Sequence, residues 1–160
     1  TTHTERNNVG MPWGTESKMV TSTLIDGAAV ATTPCGRFEG CAVIESRHEV
    51  DVGNRVEHPD RERILGYTRG KQLSWFAPGV GLVRVRHEHD NGLATDLLLR
   101  RYSIEGGSGL LPLHIDNRWE YASTDEATGT VYEDFVRVAA KVGATWAVVF
   151  TTRATATSAA

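Results

Sequence analysis

Most of this chain alternates apolar and polar residues at a spacing of two, the period of a β-strand with one face buried. Lys18 to Ile25 alternates in this way and stops at Asp26-Gly27, a standard turn pair. Ala28 to Thr33 follows, and Thr33-Pro34-Cys35-Gly36 breaks the chain again. Phe38 to Val52 comes next, with Cys41 and Val43 on one face and Phe38 and Ile44 on the other. These pieces predict a meander of three antiparallel strands. Gly53 to Arg63 is charged and holds the break His58-Pro59-Asp60, so a loop is expected there; Ile64 to Phe76 regains strand character around Arg69-Gly70-Lys71.

The segment Trp75-Phe76-Ala77-Pro78-Gly79-Val80-Gly81-Leu82-Val83-Arg84 runs from an aromatic pair through a proline–glycine break into a strongly β-forming run. Proline removes a backbone donor and the glycines remove side chains, so a strand is expected to enter, kink and continue. Gly81 to His89 then alternates, Asp90-Asn91-Gly92 supplies residues that tolerate positive φ, and Leu93 to Ile104 returns as the second arm of a hairpin. Three glycines in Glu105-Gly106-Gly107-Ser108-Gly109 mark a linker. Leu110 to Tyr121 reads as an apolar strand, an Asp116-Asn117 turn and an aromatic strand.

Val131 to Val142 carries two patterns. As a helix it has Glu133 and Asp134 in its first turn and Gly143 after its end, with Val131, Phe135, Val138 and Val142 on one face. As a strand it alternates through Val136, Val138, Ala140 and Val142, and Gly143-Ala144 turns into Trp146 to Thr152. We lean to the strand, because the last run is plainly β and a hairpin needs the shorter connection. The expected fold is therefore mainly β: a curved antiparallel sheet or half-barrel of about eight strands, with at most one substantial helix. Residues 1–104 form its first portion, 105–109 the linker, and 110–160 a β-rich remainder too small for a core of its own, which must pack on the strands before it or on those of a second copy.

Composition adds bounds. The chain has 160 residues, 40% of them hydrophobic and 23% charged, which suits a globular domain. A net charge of −3 argues against nucleic acid as a partner, and no apolar stretch is long enough to span a bilayer as a helix. The chain opens on Thr1 without a methionine, as expected after removal of a signal or for a piece of a longer protein; Thr151 to Ala160 lacks bulky apolar residues and is expected to fray. Cys35 and Cys41 sit six residues apart, with Gly36 and Gly40 letting the chain between them bend. An oxidising compartment would favour a disulfide there; the alternative is two thiols on a straight strand, too far apart to bond.

Three segments carry a resemblance. Thr33-Pro34-Cys35-Gly36-Arg37-Phe38-Glu39-Gly40-Cys41, Trp75 to Val83, and Leu111 to Tyr121 resemble motifs of a loosely defined group of bacterial β-proteins, many of them secreted or lipoproteins. The resemblance covers Ala28 to Tyr121. It implies a curved antiparallel sheet of the lipoprotein-carrier type, a secreted or envelope location and no catalytic residues. Asp116 stands where the group usually has glycine, and the segment that usually opens such a domain here follows the one that closes it. An order of this kind implies rearranged strands or cut repeats, with open edges that a homodimer or strand exchange would cover.

Chemistry is sparse in the pattern. His87 and His89 share a strand face and are the candidate metal ligands, with Asp90, His48 or His58 as a third; a solvated hairpin end, where charged residues collect, accounts for them more simply. Glu45, His48, Glu49 and Asp51 have the composition of acid–base machinery, but Ser46 and Ser74 lack the Gly-x-Ser-x-Gly elbow of a nucleophile. Arg84, Arg86, Arg100 and Arg101 form a basic stripe that Glu88 and Asp96 are placed to pair with. Trp13, Trp75, Trp119 and Trp146 fill a core or line a groove. The expectation is a non-enzymatic binding or structural module without a cofactor. An apolar-ligand carrier is the main alternative and metal binding a further one.

Overall fold

The structure is a computed structural model and describes residues 2–11, 14–51, 61–126 and 129–155. Among these the chain forms a single antiparallel sheet of nine strands whose spatial order is their chain order. The strands are β1 (Thr2–Met11), β2 (Gly14–Thr33), β3 (Gly36–Asp51), β4 (Gly70–Ala77), β5 (Gly81–His89), β6 (Ala94–Ser103), β7 (Arg118–Asp125), β8 (Thr130–Val142) and β9 (Thr145–Ala154). One short helix, α1 (Arg61–Thr68), lies between β3 and β4. No ladder joins β9 to β1, so the sheet is curved but not closed.

Curvature comes from irregular pairing. The register shifts at Leu24/Asp26, Asp26/Ala29 and Ala29/Ala31 between β2 and β3. It shifts again at Trp75/Phe76, Leu99/Arg101 and Val138/Ala140 further along. Each bulge bends a strand and adds twist, and β2 is thereby brought within contact of β5 and β6 across the concave side. The core that fills this concavity includes Ala31, Cys41, Val83, Leu99, Trp119, Tyr121 and Val138, contributed by strands from both ends of the sheet.

Several elements differ from the pattern's expectation, for local reasons. Asp26-Gly27 does not turn the chain: Asp26 Oδ1 accepts a hydrogen bond from the Ala28 amide at 2.8 Å, and the pair is absorbed as a bulge within the 20-residue β2. Thr2 to Met11, whose first residues to Asn8 are polar, is a strand held to β2 by its ladder and by hydroxyl pairs such as Thr2–Thr23 at 3.0 Å. Ile64 to Thr68 belongs to α1 instead of a strand, because Leu65 needs one turn of helix to reach its buried site over β3 and β5. The loop expected over Gly53 to Arg63 falls outside the described residues up to Asp60, and its last three residues open α1.

Pro78-Gly79-Val80 reverses the chain instead of kinking it. The Val80 amide bonds the Ala77 carbonyl at 3.1 Å, and positive φ at Gly79 (73°) makes the tight turn possible. The Asp90-Asn91-Gly92 hairpin forms as expected, with the His89 amide bonding the Leu93 carbonyl at 2.9 Å. Val131 to Val142 takes its strand form as part of β8. Of the tail expected to fray, Thr151 to Ala154 stays paired, and residues 156–160 lie outside the described residues. Leu110 to Ile115 is loop, not strand, and the whole connection from Ile104 to Asn117 is tied down by the fully buried Asn117. The Asn117 amide group bonds the Glu105 amide at 2.7 Å and the Gly106 and Pro112 carbonyls at 2.9 and 2.7 Å.

Candidate functional site

The pinned connection roofs an apolar cavity of about 410 Å³. Trp119 and Tyr121 rise into it from β7, Val136 and Val138 from β8, and Val148 and Phe150 from β9. Register explains the grouping: Trp119 stands opposite Val136, which stands opposite Phe150, so one row of the sheet presents three large apolar side chains together. Phe76, Leu82 and Leu97 complete the wall, and Leu111 and Leu113 hang down from the roof. Leu111 is 54% exposed and Phe150 73%, so the rim is apolar and open to solvent.

The polar atoms of the aromatic wall are satisfied away from the cavity. Trp119 Nε1 donates to the Val80 carbonyl at 2.6 Å, and the Tyr121 hydroxyl donates to the Leu82 carbonyl at 3.0 Å. Burial pushes the Tyr121 phenol well up from its ordinary value, which keeps it neutral at any physiological pH. Gly81 packs against Trp119, where a Cβ would lie 3.4 Å from Nε1. Among the described residues the one carboxylate of the lining is Asp134, on β8.

Away from the cavity, on β3 and β5, three imidazoles lie in a row with tilted rings. His87 lies 4.2 Å from His89 and 5.0 Å from His48, ring centre to ring centre. They meet because Gly70 of β4 is the register partner of both His48 and His89 and has no side chain to hold them apart. A Cβ on Gly70 would also collide with the Glu88 carbonyl oxygen.

His89 stacks on Tyr67 at 4.0 Å and spends both nitrogens on hydrogen bonds. A carbonyl can only accept, so Nδ1 donates to Tyr67 O at 2.6 Å, and Nε2 lies within hydrogen-bond distance of the Thr95 hydroxyl at 2.8 Å. Both nitrogens of His48 and Nε2 of His87 are buried without a hydrogen-bond partner among the described residues. Burial, reinforced by neighbouring His89 and Lys18, lowers the pKa of each of these two rings to about 4. No three His, Cys, Asp or Glu side chains among the described residues are arranged to hold a metal ion; His58 lies outside them.

The other candidates are dispersed. Ser46 and Ser74 are buried, Ser46 within hydrogen-bond distance of Ser22 (2.8 Å) and Ser74 accepting from Gln72 (3.0 Å), with no base hydrogen-bonded to either among the described residues. The Glu45 carboxylate pairs with Arg47 at 3.3 Å. Asp96 pairs with Arg86 at 2.6 Å and Arg84 at 3.6 Å, while Arg100 reaches Glu133 at 2.9 Å, so the basic stripe is neutralised across strands. Cys35 and Cys41 are free thiols, Cys41 buried and bonding the Phe38 carbonyl at 3.6 Å. Trp75 and Trp146 are half-buried against the core, and Trp13 lies outside the described residues. No helix among the described residues is long and apolar enough to cross a membrane. No family model, curated protein or solved structure matches this chain.

Proposed function

We propose that this protein is a non-enzymatic binding module that holds an apolar small molecule in the concavity of its open sheet. The observation that carries this reading is the cavity itself: about 410 Å³, walled by aromatic and aliphatic side chains from six strands and open at an apolar rim. That volume falls in the range of small-molecule sites, which are mostly apolar with a few placed polar groups. A core that served only to hold the sheet together would close over such a space, because empty apolar volume costs stability.

A series of straight-chain alcohols tests the idea, read through the fluorescence of Trp119 and the other tryptophans. Each methylene taken into the cavity contributes about 0.8 kcal/mol, so affinity is expected to rise roughly fourfold per carbon and then level off when the cavity is full. Val136→Trp, which fills the middle of the wall, is expected to abolish binding while leaving the β spectrum unchanged. No binding at any chain length would overturn the reading.

A further inference from the structure

Resting on that reading, we propose that the ligand is an amphiphile with a positively charged, hydrogen-bond-donating head, a primary amine, seated on the Asp134 carboxylate. Asp134 sits in the row next to Trp119–Val136–Phe150: it pairs with Tyr121 on β7 and Thr152 on β9, so its side chain shares the cavity face. Two hydroxyls orient it. Ser123 Oγ donates to Oδ2 at 2.8 Å and Thr152 Oγ1 donates to Oδ1 at 2.6 Å. A carboxylate has about four acceptor positions, so one on each oxygen is left for a further donor.

The described neighbours supply no cation. Within its own row and along its strand Asp134 is flanked by Tyr121, Thr152, Tyr132 and Val136, and no lysine, arginine or histidine among the described residues forms an ion pair with it. Other carboxylates of the sheet are treated differently: Asp96, Glu88 and Glu133 each pair with an arginine. The Tyr121 hydroxyl, the nearest alternative donor in the register, is already bonded to the Leu82 carbonyl. A carboxylate beside an apolar cavity, braced by two neutral donors and lacking a countercharge, is matched by a ligand that brings one. A fatty acid would set like charge against it, and a neutral chain would leave it unpaired.

Isothermal titration of the full chain with dodecylamine, dodecanol and dodecanoate, each below its aggregation threshold, tests the assignment. Dodecylamine is expected to bind at least roughly tenfold more tightly than dodecanol, with dodecanoate weakest. In Asp134→Asn, nearly the same size and shape, the amine advantage is expected to vanish while dodecanol binds within about twofold of its original affinity. Dodecyltrimethylammonium, charged but without a donor, is expected to fall between the amine and the alcohol. Equal binding of amine, alcohol and acid to the unmodified protein, or an amine preference that survives in Asp134→Asn, overturns the head-group assignment and leaves the apolar-ligand reading standing. Failure of all of these compounds to bind overturns both.

Discussion

Asn117 has no exposed surface, and its side chain uses its oxygen and both amide hydrogens within the connection between β6 and β7. Truncating it would strand one amide and two carbonyls where water reaches them poorly, at about 1–3 kcal/mol for a buried group. Asn117→Ala is therefore expected to lower stability by on the order of 3 kcal/mol, measured as a shift of the urea midpoint without a change in slope. Asn117→Asp tests the same geometry more finely: it keeps the acceptor for Glu105 but loses the two donors. A loss well under 1 kcal/mol for the alanine variant would mean that the connection is not held as described. Leu111 and Leu113 descend into the cavity from this connection, so the loss is expected to weaken ligand binding as well.

At the scale of elements, β3, β4 and β5 together create a pH response. His48 and His87 titrate near 6.5 in an unfolded chain but near about 4 in the folded one. The unfolded state thus takes up protons first as pH falls, so stability is full above about pH 6.5 and declines steadily toward pH 4. Lys18 of β2 and His89 of β5 face the same rings and both oppose protonation of them, while Tyr67 of α1 stacks on His89. Partial solvent access reduces the effect to on the order of 1 kcal/mol per ring. The melting temperature is expected to fall between pH 7 and pH 5, and His48→Gln with His87→Gln to flatten that slope; an unchanged slope would contradict the account.

The same strands show what the pattern could and could not convey. The hairpin at Asp90-Asn91-Gly92 was legible because its turn residues and its alternation agree over a few neighbouring positions. The strand form of Val131 to Val142 was legible only through its partner β9, since its spacing fits a helix as well. β1 was hidden because its first residues are polar and it is held by its ladder to β2. The cavity was hidden for a related reason: its lining is assembled by register from six strands. Trp119 could be singled out as a groove or core residue, whereas Asp134 was weighed only as a first-turn residue of the helix alternative and not as a cavity group. The signal that would have found it was the match between Val136, Val138 and the later Val148, Phe150, which sets Asp134 beside Thr152.

For the molecule as a whole, strand order equals chain order and no ladder closes the circuit between β9 and β1. Every ladder among the described residues thus joins strands that follow one another in the chain. This order leaves two loose ends. β9 carries one charged residue, Arg153, over its ten positions, and its outer edge pairs with nothing among the described residues. Such a sheet is expected to unravel inward like a zip with two sliders, with β1 and β9 parting long before β5 and β6. Deuterium uptake should trace that gradient, with amides of β9 exchanging fastest and those of β5 last. Equal protection at the seam and the centre would show the two margins joined in solution. A bound molecule touching Phe150 and Leu82 at once would slow the β9 slider alone, so ligand occupancy would be legible as a lopsided exchange pattern, with one margin quietened and the other still fraying.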